Sequence, residues 1–419
     1  MTKCKDDIVF ISGARTAIGK YLGALKKFKV EKLAEIALKE SIKRAKINKD
    51  VIDEVIIGNV LGLKNSCNIA KMIAMNLGLK DQCTGMTINR VCGSGIQSVV
   101  SGFQELIFKK KKFIAVGGAE SLSRAPYFLP PEIRYKNNIL GNFEILDSNI
   151  LLHRNLSGSN SPISHMGITV ENLVKKYKIS RKDQDKFAYI SHMRAYQAQK
   201  NGRLDQEIVP ISIADNKGNT SIFNKDEQIR ADTSIEKLSK LTPCFISNGT
   251  ITAGNSSSLN DDGASFQIMT TREIANADQL EIMAIFKDYS IVGVPAIDMG
   301  IGPVCAIKEL CENNNIDLIN DIDILEINEA FSGQILSCLK LLNIDIESDY
   351  FNNNFNINGG AISLGHPLSM SGSRMITSVL YEFKNHPEKR YAIISACIGG
   401  GQGIAILLEN AYWEKENEK

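Results

Sequence analysis

The predicted secondary structure of this chain occurs twice in the same order, and that repetition restricts the fold more than any other feature of the sequence. In the first part, β-branched runs alternate with amphipathic helical stretches, which is typical of an α/β fold. The predicted elements there are strands 8–11, 55–60 and 113–116 and helix 30–45. The order returns late in the chain with strands 283–286, 322–327 and 391–395 and with helices at 304–311 and from 331 onward. We therefore expect two similar halves.

The two halves place Cys92 and His366 at corresponding points. Residues 87–89 precede a glycine-rich helix start at Cys92, and residues 357–358 precede a helix start near His366; a strand follows each helix. Ligand sites favour strand ends and domain junctions. Similar halves packed against each other would therefore bring Cys92 and His366 into one cleft.

Residues from about 126 to 258 differ in character from both halves. They are rich in Asn, Ser and Pro and contain predicted helices at 169–177 and 181–201. We interpret this segment as a lobe inserted in the first half, suited to covering a long, flexible ligand that carries phosphate. The predicted division is an N-terminal half at residues 1–279, which includes the lobe, and a C-terminal half at residues 280–419.

Composition argues against several classes of function. The 419 residues are enough for two or three globular units. The net charge of +2 provides no field that would collect nucleic acid or an acidic membrane surface. Nine cysteines without C-x-x-C pairs or zinc-like spacing indicate neither a disulfide framework nor a structural metal. The first residues do not have the pattern of an export or transit signal, so we expect a reducing, cytoplasmic location.

One uncharged run, residues 391–408, has the length of a membrane span. Glycines at positions 399, 400, 401 and 403 divide it. We therefore predict two short buried strands joined by a tight turn.

Cys92 lies in the sequence NRVCGSG, residues 89–95, which passes from a predicted strand into a helix. Backbone N–H groups and the positive end of the helix dipole can stabilise a thiolate there, and the flanking glycines leave space for an acyl group. A lone cysteine in such a turn is more often a small buried hydrophobic residue. This motif alone therefore does not identify a nucleophile.

Two further glycine-rich turns carry groups that could complete such a site. His366 lies in GGAISLGHP, residues 359–367, where Pro367 favours a helix start. Its imidazole could accept the thiol proton and later donate to an oxyanion. Cys397 begins CIGGGQG, residues 397–403, whose N–H groups could bind an oxyanion while the thiol moves protons.

Asn328 begins the fourth motif, NEAF at residues 328–331, directly after strand 322–327. An asparagine at that edge can hold a water molecule without adding charge. The alternative interpretation is an ordinary helix N-cap with an acid in the first turn.

These four motifs, in this order, resemble those of the thiolase family, and the resemblance extends from the segment ISGART at residues 11–16 to Leu408. It implies an α/β fold of the thiolase type, a duplicated five-layered α/β/α/β/α arrangement with an inserted loop lobe. It also implies a homodimer or homotetramer that acts on the small-molecule substrates acetyl-CoA, acetoacetyl-CoA and CoA. No nucleic acid, membrane, metal or additional cofactor is expected.

The resemblance also implies a role for each central residue. Cys92 would carry the acyl group, His366 would activate it, and Cys397 would exchange the proton on the α-carbon of the second substrate. Asn328 would hold the water of one oxyanion hole together with His366. The backbone N–H groups of Cys92 and Gly399 would form the other.

The resemblance further assigns residues to coenzyme A and to the acyl group. The residues assigned to coenzyme A are His165, Met166, Arg230, Phe245, Ala253, Ser257, Leu259, Ala330 and Phe331. Met166 and Met299 would close the acyl pocket and favour acetyl and acetoacetyl groups, while ordinary core filling is the alternative for both methionines. The expected function is acetyl-CoA C-acetyltransferase.

Three other functions stay open at this point. A broad-range 3-ketoacyl-CoA thiolase of fatty-acid degradation would use the same chemistry. A ketoacyl synthase would need a second histidine or an asparagine at position 397. A non-catalytic acyl-CoA-binding or lipid-binding relative could share the fold, but the intact Cys92, His366 and Cys397 argue against it.

The chain departs from the family pattern in two places. Ser369 and Met370 stand where the family usually has small residues. The run NDDG at residues 260–263 contains one acid that is additional or displaced. Both departures concern local packing around the motifs.

Overall fold

The computed structural model describes residues 7–62, 68–108, 111–135, 142–155, 165–214, 217–258 and 261–413. Leu259, one of the residues assigned to coenzyme A, lies outside these ranges, and so does Asn260 of the NDDG run. Within the described ranges, no helix is long and apolar enough to cross a lipid bilayer.

The elements alternate as predicted in both halves, with the lobe between them. The first half contains β1 (Ile8–Thr16), α1 (Val30–Ala45), β2 (Glu54–Gly58), α2 (Ile69–Asn76), β3 (Thr84–Ile88), α3 (Ser94–Ile107) and β4 (Phe113–Ser121). The following segment contains β5 (Tyr127–Phe128), β6 (Leu146–Asp147), α4 (Ser148–Asn155), α5 (Met166–Lys176), α6 (Arg181–Lys200), β7 (Ile208–Val209), β8 (Ile211–Ala214), β9 (Thr220–Phe223) and α7 (Ile235–Ser239). β10 (Asp262–Thr271) and α8 (Arg272–Ala277) then lead out of the first half.

The second half repeats the order. It contains β11 (Ala284–Gly293), α9 (Gly302–Asn314), β12 (Ile322–Ile327), α10 (Ser332–Leu341), α11 (Asp349–Asn354), α12 (Ala361–Leu364), α13 (Leu368–Asn385), β13 (Tyr391–Ile398) and β14 (Gln402–Asn410). The uncharged run that has the length of a membrane span forms β13 and β14, so the prediction of two strands joined by a turn is confirmed.

The order of strands in the main sheet is symmetric about its centre. One hydrogen-bonded path runs β12–β13–β14–β11–β1–β10–β4–β2–β3, and β7 pairs beside β1. β1 and β11 meet antiparallel in the middle. On one side, β1 pairs antiparallel with β10, β10 antiparallel with β4, and β4 parallel with β2. On the other side, β11 pairs antiparallel with β14, β14 antiparallel with β13, and β13 parallel with β12. The predicted duplication is confirmed.

The symmetry fails at the outermost strand. β3 pairs with β2 along five residue pairs, but its counterpart is reduced to one bridge between Phe355 and Leu325. Asn356 ends the extended backbone there with a φ of +39°. Its side chain bonds to the N–H and the carbonyl of Ile327 at 2.9 and 3.0 Å. A side chain therefore satisfies groups that a longer strand would pair.

Three apolar clusters fill the spaces between the five layers. The first, with Leu38 of α1 and Ile73 of α2, covers the outer face of the first half of the sheet. The second, with Ile96 of α3 and Ile376 of α13, fills the space between the two halves. The third, with residues of α9 and α10, covers the outer face of the second half. This is the expected five-layered α/β/α/β/α fold.

Helices α3 and α13 touch in the central layer through glycine. A Cβ at Gly95 would lie 2.4 Å from the carbonyl oxygen of Ser369, and a Cβ at Gly372 would lie 2.8 Å from the nitrogen of Ile96. Only glycine permits so close an approach. The first turns of the two helices therefore lie side by side, and these are the turns that follow Cys92 and His366.

A buried network of ions connects the lobe to both halves. Arg15 of β1 donates to Glu207 at 2.6 Å and to Asp226 at 2.8 Å, and all three side chains are buried. Arg203 donates to Glu207 at 3.0 Å and pairs with Glu382 of α13. Burial would raise the pKa of Glu207, but the two arginines hold it below its ordinary value. The lobe is thus anchored to both halves by charge as well as by packing.

Candidate active site

Cys92 lies on a strained turn between β3 and α3. Val91 before it has a φ of +47°, a left-handed conformation that β-branched residues rarely adopt. The N–H of Val91 donates to Asn89 Oδ1 at 2.9 Å. Ser94 Oγ accepts from the N–H of Arg90 at 2.8 Å and donates to the carbonyl of Val91 at 2.7 Å. These local bonds hold Cys92 at the start of α3.

His366 lies on a second constrained turn, between α12 and α13. Gly365 before it has a φ of +110°, and a Cβ there would lie 2.8 Å from Asp261 Oδ2. The same oxygen accepts the N–H of His366 at 2.8 Å. An acid just before β10 therefore fixes the backbone of the histidine.

Each ring nitrogen of His366 lies near a polar side chain. Nδ1 lies 2.6 Å from Ser371 Oγ, and Nε2 lies 3.5 Å from Asn328 Nδ2. With the Asn328 amide in this orientation, its NH₂ group donates to Nε2, which corresponds to the tautomer with the ring proton on Nδ1 and the lone pair on Nε2. The imidazole can then accept a proton at Nε2.

Asn328 and Glu329 follow β12. The N–H of Asn328 donates to the carbonyl of Ser395 at 2.9 Å, and its buried Oδ1 accepts no hydrogen bond from the described residues. Glu329 accepts from Ser191 Oγ at 2.7 Å and from the N–H of Ile362 at 3.3 Å. Helix α10 begins three residues further on, so the interpretation of Glu329 as an acid in the first helical turn is wrong. Its carboxylate instead holds α12 next to His366.

Cys397 lies near the end of β13, and the glycine turn after it leads into β14. Gly401 has a φ of +89°, and a Cβ there would lie 2.2 Å from the carbonyl oxygen of Val294. The N–H of Gly399, in the same turn, acts on the thiol of Cys92 and lowers its pKa. The turn thus brings a backbone donor of the second half onto the thiol of the first.

One cavity of about 50 Å³ collects groups from both halves and from the lobe. Its lining residues are Val91, Cys92, Leu152, His165, Met166, Ser257, Ser258, Met299, Ala330, Phe331, His366, Leu368, Cys397 and Gly399. Cys92, His366 and Cys397 therefore meet in one space, and Asn328 adjoins it through its contact with His366.

The residues assigned to coenzyme A and the acyl group divide into three sets. Those that line the cavity are His165, Met166, Ser257, Met299, Ala330 and Phe331. Phe245 lies one layer outside, with its ring stacked on His165 at 4.6 Å and edge-on to Phe331 at 5.9 Å between ring centroids. Arg230 and Ala253 are exposed and lie outside the cavity lining.

Burial raises the pKa of both central thiols. The pKa of Cys92 rises to about 11, because burial outweighs the lowering by the N–H groups of Gly399 and Cys92, and the charge of Glu120 adds to the rise. The pKa of Cys397 is raised well above its ordinary value by burial and by the neighbouring Cys92 and Cys338. The helix start alone therefore does not lower the pKa of Cys92 below its ordinary value.

Glu120 near the end of β4 is the main residue around the site that the motifs did not indicate. It is buried and accepts from Ser369 Oγ at 2.7 Å and from the N–H of Leu61 at 3.1 Å. Burial raises its pKa to about 7, although these donors lower it. The available signal was a charged residue at the end of the uncharged run 113–119.

Both departures from the family pattern have a place in the packing. Ser369 bonds to Glu120, and Met370 fits beside Gly263, where a Cβ would lie 2.6 Å from the methionine sulfur. Of the two neighbouring acids, Asp261 binds the N–H of His366, and Asp262 accepts the N–H of Ser123 at 3.0 Å.

Two family descriptions match the two parts of this chain. The one described as thiolase, N-terminal domain, matches residues 8–273, and the one described as thiolase, C-terminal domain, matches residues 280–410. The chain belongs to the thiolase family. As a thiolase-family member it is an acyltransferase enzyme.

Individual thiolase relatives are similar along nearly the whole chain. A probable acetyl-CoA acyltransferase of Staphylococcus epidermidis is 37% identical over 404 residues, covering 96% of this chain and 98% of that protein. The acetyl-CoA acetyltransferase of Bacillus anthracis has a crystal structure with a TM-score of 0.89 and 36% identity, covering 96% and 98% of the two chains. Human mitochondrial 3-ketoacyl-CoA thiolase in complex with CoA has a TM-score of 0.88 and 35% identity, covering 97% and 98%.

The raised pKa of Cys92 predicts how this thiol reacts as the pH changes. Its alkylation by iodoacetamide should accelerate about tenfold for each pH unit between about pH 7 and pH 9, because only the thiolate reacts and it stays the minor form below its pKa. Mass spectrometry of the Cys92 peptide at short reaction times measures the rate, and exposed Cys244 in the same sample controls for reagent activity. A rate that is constant over this range would show a thiolate already formed at neutral pH.

Proposed function

We propose that this enzyme is an acetyl-CoA C-acetyltransferase, which reversibly condenses two acetyl-CoA molecules to acetoacetyl-CoA and CoA. The observation that carries the proposal is the small cavity in which Cys92, His366 and Cys397 meet. One thiol can hold an acetyl group, the imidazole can take its proton, and the second thiol can act on the next substrate. The CoA thioesters are substrates, and we propose no further cofactor.

In the first half-reaction, Cys92 becomes acetylated. His366 Nε2 accepts the thiol proton, and the sulfur attacks the carbonyl carbon of acetyl-CoA. The oxygen that gains negative charge accepts hydrogen bonds from the N–H groups of Cys92 and Gly399, the two donors that already lower the pKa of the thiol. The bond to the CoA sulfur then breaks, which leaves an acetyl thioester on Cys92.

Proton balance assigns a step to Cys397 in each half-reaction. To remove a proton from carbon in the second half-reaction, Cys397 must first lose its own thiol proton. The sulfur of the departing CoA is the group that can take it, which releases CoA as a neutral thiol. The high pKa of Cys397 suits both steps, because a thiol that ionises reluctantly gives a strongly basic thiolate.

In the second half-reaction, the Cys397 thiolate removes a proton from the methyl group of a second acetyl-CoA. The enolate oxygen that results accepts from protonated His366 and from a water held by Asn328 Oδ1, the buried acceptor beside the imidazole. The carbon attacks the acetyl group on Cys92, and acetoacetyl-CoA leaves. His366 then returns its proton to Cys92, so each group regains its initial state.

The size of the cavity supports a short acyl group. Buried Met166 and Met299 lie in one apolar cluster with Cys397, and both methionines line the cavity. For coenzyme A itself, we propose contacts with His165, Met166, Arg230, Phe245, Ala253, Ser257, Leu259, Ala330 and Phe331. The similar human thiolase solved with CoA supports this ligand.

A broad-range 3-ketoacyl-CoA thiolase is the second candidate. The similarity to human mitochondrial 3-ketoacyl-CoA thiolase, at 35% identity, favours it about as strongly as 36% identity favours an acetyl-CoA acetyltransferase. Both candidates use the same residues and differ in the length of the acyl chain that they accept. The lining methionines decide our preference for the shorter substrate.

The proposed division between the two thiols predicts different defects. Cys397→Ala should still take acetyl from acetyl-CoA onto Cys92, but condensation and deuterium exchange into the acetyl methyl group should fall about 10²- to 10⁴-fold, because the base is missing. Cys92→Ala should lose acetylation. Mass spectrometry of the Cys92 peptide and NMR of the acetyl group measure these steps.

Cys83→Ala is the matched control for those two variants, because Cys83 is buried in the outer layer beside α1 and α2. It should keep both activities. Near-normal condensation by folded Cys397→Ala would make Cys397 a structural residue and would assign the base elsewhere.

The preference for short acyl groups predicts the effect of enlarging the cavity. Met299→Ala, alone or combined with Met166→Ala, should raise the rate of thiolysis of a longer 3-ketoacyl-CoA relative to acetoacetyl-CoA by about tenfold or more. A difference of one methylene in the space of a binding pocket changes the preference between substrates on that scale. The ratio of kcat/KM for the two substrates is the measurement. Met283→Ala removes an equally buried methionine just before β11 and should leave the ratio unchanged. An unchanged ratio in both single variants and the double variant would assign Met166 and Met299 to packing.

A further inference from the structure

Glu120 is a buried carboxylate that the proposed reaction steps do not use. From the loop after β2 it accepts the N–H groups of Val60 and Leu61 at 3.2 and 3.1 Å and the side-chain amide of Asn59 at 3.1 Å. From α13 it accepts the hydroxyl of Ser369 at 2.7 Å and its N–H at 3.4 Å. One carboxylate of β4 therefore joins three segments of the chain.

The bond to α13 reaches the first turn of the helix that follows His366. The N-cap of α13 is Pro367, which makes no side-chain capping bond. At this end of the helix, backbone N–H groups and the helix dipole favour negative charge. Glu120, from the other half of the chain, supplies that charge. The first turn of α13 is thus held against β4.

The segments that Glu120 holds form the apolar wall around Cys92. Val60 and Leu368 belong to one cluster, against which Leu61, Leu152 and Cys92 pack. Val60 and Leu61 donate to the carboxylate, and Leu368 precedes Ser369. A shift of the carboxylate would therefore move both sides of this wall.

The polar partners of Glu120 match an ionised carboxylate. Asn59, Val60, Leu61 and Ser369 all present donors to its two oxygens, which is the pattern that favours the charged form. That negative charge acts on Cys92 and disfavours its thiolate. Geometry and charge thus act on the same sulfur.

We propose that Glu120 is a positioning residue for acyl transfer, which fixes α13 and the loop after β2 around Cys92 and whose negative charge acts on the Cys92 thiol. The inference rests on the proposed role of Cys92. Burial is the larger reason that the resting thiol stays protonated, and the charge of Glu120 adds to it. A protonated thiol reacts slowly with stray electrophiles, and its activation then depends on His366 as the base.

Other ionisable groups lie near Cys92 and Glu120 and must stay unchanged in any test. His366 and Cys397 line the cavity with Cys92. On the other side of Glu120, a separate cavity of about 250 Å³ is lined by Lys29, Glu31 and Arg124 among others. A substitution at position 120 leaves all five of these groups in the protein.

Glu120→Gln removes the charge and keeps the shape of the side chain. The hydroxyl of Ser369 also lies 2.9 Å from the carbonyl oxygen of Ala119, so it can donate there and accept from the new amide. We expect iodoacetamide to alkylate Cys92 about three to ten times faster at pH 8 in this variant, with the whole rate profile displaced to lower pH. Mass spectrometry of the Cys92 peptide measures the alkylation rate at pH 8 and its dependence on pH.

Two further variants separate charge from structure. Ser369→Ala breaks the bond to α13 but keeps the carboxylate, so acetyl transfer should slow while alkylation of Cys92 does not accelerate. Glu54→Gln changes a buried carboxyl at the opposite end of β2 and should leave alkylation unchanged. Equal acceleration in Ser369→Ala, or none in Glu120→Gln, would overturn the inference.

Acetylation of the wild-type enzyme in the same samples keeps the two proposals distinct. If acetyl-CoA does not acetylate Cys92 in the wild type, the proposed function fails. If acetylation is normal and the alkylation profile of Glu120→Gln matches that of the wild type, only the role of Glu120 fails.

Discussion

The contact between α3 and α13 at Gly95 and Gly372 is the constraint on which the site depends. Any side chain at either position would collide with the backbone of the other helix. The approach sets the helix starts of the two halves next to each other, and each start carries one reactive group. Neither half alone carries the whole proposed site, because Cys92 comes from the first and both His366 and Cys397 come from the second.

Three buried carboxylates convert this helix contact into a defined geometry. Glu120 holds the first turn of α13, Asp261 holds the N–H of His366, and Glu329 holds the N–H of Ile362 in α12. Burial raises the pKa of all three, and their donors oppose that rise. A buried carboxylate that lost its hydrogen-bond donors would lower the stability of the fold more than an exposed one would. Each carboxylate therefore strongly favours one arrangement of its loop.

Local patterns in the sequence predict the elements and the reactive groups but not the contacts that position them. Helix 30–45 and strand 322–327 have the predicted bounds, because each has a clear period and clear ends. The N–H of His366 that Asp261 accepts, and the partners of Glu329, come from distant parts of the chain, and no local pattern reveals them. Asn356 shows the same limit, since its side chain replaces a strand pairing that the duplication would lead one to expect.

The central claim is that the acetyl group is held by Cys92 under two backbone donors, one from each half. A crystal structure of the enzyme frozen after brief exposure to acetyl-CoA tests it most directly. We predict an acetyl thioester on Cys92 with its oxygen within hydrogen-bonding distance of the N–H groups of Cys92 and Gly399. An acetyl group on Cys397, or a thioester oxygen directed at Asn328 and His366 instead, would contradict it.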